Sequence, residues 1–315
     1  MSEVPAAAGV RLTWDDLPST LRDAVADCLG APVVATTSRP AGFSPGVALR
    51  IETARGDVAF LKAVGDYPNP TAPEMHRQEI VVTRGLAGQP FVPALRWTYD
   101  RDGWVALLFD YVDAEPPTMP WEVDDLDRVL ATVVEMHAAL TPPPVGVPTM
   151  AESFRDDFAG WRTLARGDQT SALDEWTRAN VELLAEAESR WAAAAAGETL
   201  LHADLRADNL LLAPHQVYVV DWPWACVGAA WVDVVGMAPS VTMYGGPQPD
   251  DVLHRYVAAG GTRPADDALV AMVAAIGGYF VERSVRPAEP GLPTVRAFQT
   301  AQGAVCRDWL RRLLG

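Results

Sequence analysis

The sequence predicts an α+β protein in two lobes: a small, β-rich first lobe with an antiparallel sheet and a larger, mainly α-helical second lobe. Three observations predict it. Up to about residue 112, short apolar runs alternate with turn-forming stretches such as Arg39-Pro40-Ala41-Gly42-Phe43-Ser44-Pro45-Gly46 and Arg55-Gly56-Asp57. From about residue 122, apolar positions recur at helical spacing. Between them, DYVDAEPP at 110–117 reads as a linker. The lobes are therefore placed at 1–112 and 113–315.

Residues 13–29 carry Leu17, Leu21, Val25 and Leu29 at helical intervals, and Thr13 with Asp16 reads as a capping box. Strand-like pieces at 32–37 and 47–53 flank the first turn. The run 58–64 is a strand with Lys62 in its middle. A helix over 72–87 holds Glu74 and Glu79, and strands follow at 94–99 and 104–111. Helices are expected over 122–140, 150–167, 171–195, 249–259, 266–281 and 294–314, interrupted by hairpins in 200–222. No internal repeat is evident, and Pro142-Pro143-Pro144 marks a loop.

With 315 residues, 49% of them apolar, the chain can bury a sizeable core. Cys28, Cys226 and Cys306 lie far apart, which argues against a disulfide framework or a zinc site and for a reducing compartment. The N-terminus, MSEVPAAAGVRL, has no basic stretch followed by an apolar one, so no secretory signal is read there. The longest apolar run, 268–281, has 14 residues, short of the ~20 that a membrane span needs. A cytoplasmic protein is expected. The net charge of −16 disfavours nucleic acid and anionic membranes as partners. It fits either a cationic small-molecule partner or plain solubility.

The chemistry concentrates in residues 200–222, LLHADLRADNLLLAPHQVYVVDW. Apolar runs deliver Asp204, Asn209 and Asp221 to the ends of short strands. Phosphoryl transfer needs a carboxylate to orient the attacking hydroxyl and oxygen ligands to hold Mg²⁺ on the phosphates. Asp204 suits the first role. Asn209 and Asp221 suit the second, because magnesium takes hard oxygen ligands and usually one or two carboxylates. Lys62 inside an apolar strand also stands out, since a buried ammonium is costly unless paired.

His202-x-Asp204-x-x-x-x-Asn209 followed by Asp221-Trp222-Pro223 resembles the catalytic loop and metal-binding aspartate of the protein-kinase-like superfamily. More narrowly it is similar to the aminoglycoside phosphotransferase family of small-molecule kinases. The resemblance implies a bilobal protein-kinase-like fold, ATP as phosphate donor with GTP left open, and Mg²⁺. It implies that Lys62 holds the α- and β-phosphates, with Glu79, in preference to Glu74, as its helix partner. It places a phosphate-covering loop at 41–46, where Gly42 and Gly46 admit backbone N–H groups and Ser44 adds a donor, although Pro45 removes one. It sets the base against the backbone of Asp110 and Val112, with Phe109 or Tyr111 either stacking on it or packing in the strand. His202 buttresses the loop, Asp233 caps it, and His137 is a packing feature. Arg206 either reaches the transferring phosphate or pairs with Asp208 or a substrate carboxylate.

No D-F-G or A-P-E segment is present, so the expected acceptor is the hydroxyl of a small molecule. An aminoglycoside-like or other antibiotic leads, ahead of a choline-, homoserine- or sugar-like metabolite. A non-catalytic, kinase-like nucleotide-binding protein is the remaining alternative. Glu152, Asp156, Asp157, Asp168, Asp174 and Glu175 are candidate carboxylates for a cationic acceptor, while the basic C-terminus RDWLRRLLG lacks an acidic cluster. Trp161, Trp176, Trp222, Trp224 and Trp231 are read as core, or as walls of a flat pocket. A monomer or homodimer is expected.

Overall fold

The structure, a computed structural model, describes residues 12–39, 46–67, 72–167, 173–287, 292 and 294–315. Gly42 and Ser44, with the rest of the expected phosphate-covering loop up to Pro45, lie outside the described residues, as does Asp168. The chain divides into two compact units: residues 12–115 with 211–224, and residues 116–210 with 225–315. The architecture is α+β, with an antiparallel sheet in the first unit and helices dominating the second.

In the first unit, α1 (Ser19–Leu29) precedes β1 (Val33–Ser38), β2 (Val47–Thr53) and β3 (Val58–Gly65). α2 (Ala72–Gly85), β4 (Leu95–Arg101) and β5 (Trp104–Asp110) follow. The five strands form an antiparallel sheet in the order β1-β2-β3-β5-β4. Alternation sorts β3 onto two faces. Ala59, Leu61 and Ala63 pack with Leu49, Ile51 and Leu108 beneath Leu21 and Val25 of α1. Phe60 lies with Val105, Leu107, Phe109 and Ile80 of α2. Phe109 is therefore buried strand packing. The helix expected over 13–29 begins only at Ser19. The Thr13–Asp16 box closes a single 3₁₀ turn, and Pro18, with no N–H to give, stands at the cap of α1.

The second unit holds α3 (Val123–Ala139), α4 (Met150–Ser153), α5 (Gly160–Arg166), α6 (Glu175–Ser189), α7 (Trp191–Ala194) and β6 (Thr199–Leu201). β7 (Leu210–Leu212) and β8 (Val217–Val219) form the hairpin that runs into the first unit, before β9 (Cys226–Gly228) returns to pair with β6. The chain closes with α8 (Trp231–Met243), α9 (Pro249–Ala258), α10 (Asp266–Ser284) and α11 (Val295–Leu314).

α10 is the axis of this unit, packed by α5, α6, α7, α8 and α11. α5 approaches it tightly at one point, where a Cβ on Gly160 would stand 2.0 Å from the Gly278 carbonyl oxygen. The single helix expected over 150–167 is two. The second piece starts where the buried Glu188 accepts the Trp161 and Arg162 amides, at 2.9 and 3.1 Å. The helix expected over 171–195 is likewise split at Arg190 into α6 and α7. α8 was not expected at all. It is buried on nearly every side and carries Pro239 inside, so it has no polar stripe to reveal a period of 3.6. Among the described residues, no helix is long and apolar enough to cross a membrane. The three cysteines are free thiols.

Candidate active site

Lys62 owes its position to strand alternation. Leu61 and Ala63 point into the α1-side core, so Lys62 faces α2, where Glu79 is buried. The Lys62 ammonium donates to Glu79 Oε2 at 2.6 Å and to Asp221 Oδ1 at 2.6 Å. Glu74, the other candidate partner, is exposed and pairs with Arg77. Burial works against the charged Lys62, but Asp221 and Glu79 outweigh it and hold the ammonium above its ordinary value. Burial pushes the Glu79 carboxyl up to about 6, even though Lys62 pulls the other way. Glu79 also accepts from the Trp222 backbone amide. Trp222 is buried, and its Nε1 donates to Val219 O at 3.0 Å, so the Asp221-Trp222 turn is fastened on both sides. Asp221 has φ +68°, a strained value for a non-glycine residue.

Gly46, the described end of the expected phosphate loop, has φ +98°, and a Cβ there would stand 2.3 Å from the Ala63 carbonyl oxygen. Only glycine lets β2 begin this close to β3. At the other end of that loop, Arg39 donates to the Tyr111 hydroxyl at 2.8 Å and to Glu115 at 3.2 Å. The Arg50 guanidinium covers the Tyr111 ring at 5.3 Å. Asp110 donates its amide to the Ala94 carbonyl at 2.8 Å, and its carboxylate accepts from Arg96. Val112 is half-buried.

In the helical unit, Asp204 follows β6 in a loop organised from behind. Asp233, in the first turn of α8, accepts the backbone amides of His202 and Ala203 at 3.0 and 2.7 Å and faces His137 Nε2 at 3.0 Å. Burial pushes this carboxyl up, but the His137 hydrogen bond and the two histidines outweigh it and hold Asp233 below the usual range. Ala203 takes φ +63°, which these contacts maintain. His202 is fully buried, and its Nδ1 accepts from the Asp204 amide at 3.2 Å. His137, expected as packing alone, is thus also the polar partner of Asp233.

The Asp204 side chain is 30% exposed. Asn209 Nδ2 donates to Asp204 O at 2.8 Å and to Asp204 Oδ2 at 3.2 Å. These bonds use the amide nitrogen, and the other end of the carboxamide, Oδ1, is of the hard-oxygen type that suits a cation such as Mg²⁺. Arg206 forks onto Asp208 at 3.1 and 2.8 Å and lies 3.8 Å from Asp204. Among the described residues, no three His, Cys, Asp or Glu side chains gather to form a metal site.

A family profile, that of the phosphotransferase enzyme family (APH), matches residues 37–271, a span that includes Lys62, Glu79, Asp204, Asn209, Asp221 and Asp233. The chain belongs to this phosphotransferase family. No curated protein matches it in sequence. Solved structures resemble it in fold. A choline/ethanolamine kinase family protein from Mesorhizobium loti is 16% identical, covers 89% of this chain and 91% of its own, and has a TM-score of 0.59. A spectinomycin phosphotransferase bound to ADP and spectinomycin is 10% identical, covers 93% and 94%, and has a TM-score of 0.59. An amicoumacin kinase in complex with AMP-PNP and Ca²⁺ is 11% identical, covers 93% and 94%, and has a TM-score of 0.56. At these identities the likeness is one of fold, so the fold of this phosphotransferase is kinase-like.

The sequence reading missed the amide of Trp222 and the polar role of His137. Neither leaves a sequence signal, since one is a backbone group and the other acts on a residue 96 positions away.

Proposed function

We propose that this phosphotransferase transfers the γ-phosphate of ATP, in a Mg²⁺-dependent reaction, to the hydroxyl of an antibiotic-like small molecule. The observation that carries the reading is the Lys62 ammonium held between Glu79 and Asp221 at 2.6 Å each. Such a cation suits the α- and β-phosphates, and Glu79 fixes its position. Gly42, Ser44 and Gly46 cover the phosphates, and backbone groups of Asp110 and Val112 receive the base. GTP would fit the same groups. Asn209 and Asp221 would hold Mg²⁺, which supplies charge neutralisation on the phosphates.

Asp204 orients the acceptor hydroxyl and takes its proton. A bond forms between the acceptor oxygen and the γ-phosphorus as the bond from that phosphorus to the β–γ bridging oxygen breaks, releasing ADP. Arg206, fixed by Asp208, offsets charge near Asp204. In this reading, residues 1–112 bind nucleotide, residues 113–315 carry catalysis and the acceptor, and the enzyme works in the cytoplasm as a monomer or homodimer.

The test is Mg²⁺-dependent ATP consumption against a panel of aminoglycosides, macrolides, nucleoside antibiotics, choline and amino alcohols. Turnover of an antibiotic that vanishes with EDTA supports the reading. Turnover confined to choline or amino alcohols moves the enzyme to primary metabolism. Absence of both turnover and Mg·ATP binding rejects catalysis.

A further inference from the structure

Three of the acidic residues expected to receive a cationic acceptor, Asp174, Asp157 and Glu152, are already engaged. Asp174 caps α6 through Thr177 and pairs with Arg307 and Arg311. Asp157 pairs with Arg283, Asp208 with Arg206, and Asp250 with Arg312. Glu152 is turned back on Thr149 in a capping box. The net charge of −16 is therefore partly offset by arginines in the surroundings of Asp204.

Those surroundings are aromatic. Phe154 stacks on Phe158 at 5.2 Å, and Phe158 meets Tyr279 edge-on at 6.2 Å. Tyr279 meets Phe280 at 5.1 Å, and Phe280 meets Phe298 at 6.4 Å. The run ends under Arg206, whose guanidinium stands 5.6 Å from the Phe298 ring centre and 3.8 Å from Asp204. Phe158 and Phe298 are buried, whereas Tyr279 and Phe280 keep part of their surface open. Burial pushes the Tyr279 hydroxyl up, and the charges acting on it come from Arg283, Asp157, Asp204 and Arg206. Arg283 and Arg206 here face Asp157, Asp204 and Asp208, so the arginines offset most of the acidic charge a ligand meets.

An acceptor with several ammonium groups needs unpaired carboxylates, or it stays in water. A flat ring needs an aromatic wall and little net charge. We propose that the acceptor presented to Asp204 is a flat, neutral or singly charged hydroxyl compound stacked against Tyr279 and Phe280, and that polyamine sugars are poor ligands. This rests on the phosphotransfer reading above only in taking Asp204 as the point where the hydroxyl arrives.

The experiment is calorimetric titration of the full chain, in the presence of AMP-PNP and Mg²⁺, with 2-(2-naphthyl)ethanol and, separately, with neomycin. Each is repeated on Tyr279→Ala, Phe280→Ala and Tyr279→Phe, with melting temperatures measured alongside. The expected result is that the naphthyl alcohol binds more tightly than neomycin, loses about tenfold in either alanine variant and holds within about twofold in Tyr279→Phe, which keeps the ring. Tighter binding of neomycin, no binding of the naphthyl alcohol, or equal affinity in folded Tyr279→Ala overturns the proposal. Naphthyl alcohol binding that depends on Tyr279, with no ATP turnover by any acceptor, would leave the aromatic site standing and remove the phosphotransfer reading.

Discussion

The Lys62 ammonium lies 2.6 Å from a carboxylate oxygen of Asp221, 159 residues further along the chain. The same nitrogen lies 2.6 Å from Glu79, which is 2% exposed. Replacing Lys62 by Met removes the only cation that pairs with Glu79 among the described residues. Removing one member of a buried pair typically costs about 3–5 kcal/mol. Glu79 softens that loss by taking up a proton, so the cost should be greater at about pH 7.5 than at about pH 5.5. Denaturant unfolding of Lys62→Met at both pH values checks this, and an unchanged midpoint at both contradicts it.

Glu79 also sets a pH dependence of opposite sign for stability and for nucleotide binding. Its carboxyl, ordinarily 4.5, is pushed up to about 6 by burial. The folded chain therefore takes the proton first, so the stability contributed by this group is present below 4.5 and lost as pH rises through about 6. Nucleotide binding runs the other way, because a protonated Glu79 no longer anchors Lys62 as an ion pair. The KM for ATP should rise as pH falls through about 6, and Glu79→Gln should hold a high KM across the range. A flat wild-type profile between about pH 5 and about pH 7.5 would exclude this role for Glu79.

Asp233 is fully buried and satisfies two backbone amides and one imidazole. Asp233→Ala strands all three, at about 1–3 kcal/mol for each unsatisfied group. The variant should lose several degrees in melting temperature and most of its turnover, while the KM for ATP changes little. Thermal unfolding with steady-state kinetics tests this, and a variant with normal kcat would show that the loop does not depend on Asp233.

Gly160→Ala tests the tight contact between α5 and α10. Its Cβ would stand 2.0 Å from the Gly278 carbonyl oxygen, backbone against backbone, so α5 and α10 must separate. Overpacking of this kind costs about 1–3 kcal/mol or more. A chemical denaturation curve no weaker than wild type would mean that α5 shifts at no cost.

The sheet unit was legible because turns punctuate it and its strands alternate. β2 begins and ends where alternation placed it, at Val47 and Thr53. Asp204, Asn209 and Asp221 could be singled out as candidates because one short window holds them in a fixed spacing. Less was legible where tertiary contacts decide. α8 hides because it is apolar all round, and α1 starts late because Pro18 outweighs the periodicity of Leu17 and Leu21. The acidic residues from Glu152 to Glu175 suggested a cationic acceptor, and sequence shows these carboxylates while concealing the arginines that pair with Asp157 and Asp174. Asp157 and Arg283 are 126 positions apart, and Asp174 and Arg307 are 133 apart.

The central claim is that Asp204 serves the acceptor hydroxyl while Lys62 and Asp221 serve the nucleotide. The most direct measurement compares Mg·ATP affinity and acceptor turnover in Asp204→Ala, Asp221→Ala and wild type. The account predicts that Asp204→Ala keeps its Mg·ATP affinity within about twofold and loses at least about a hundredfold in turnover, while Asp221→Ala loses Mg·ATP affinity itself. Near-normal turnover in Asp204→Ala would contradict it.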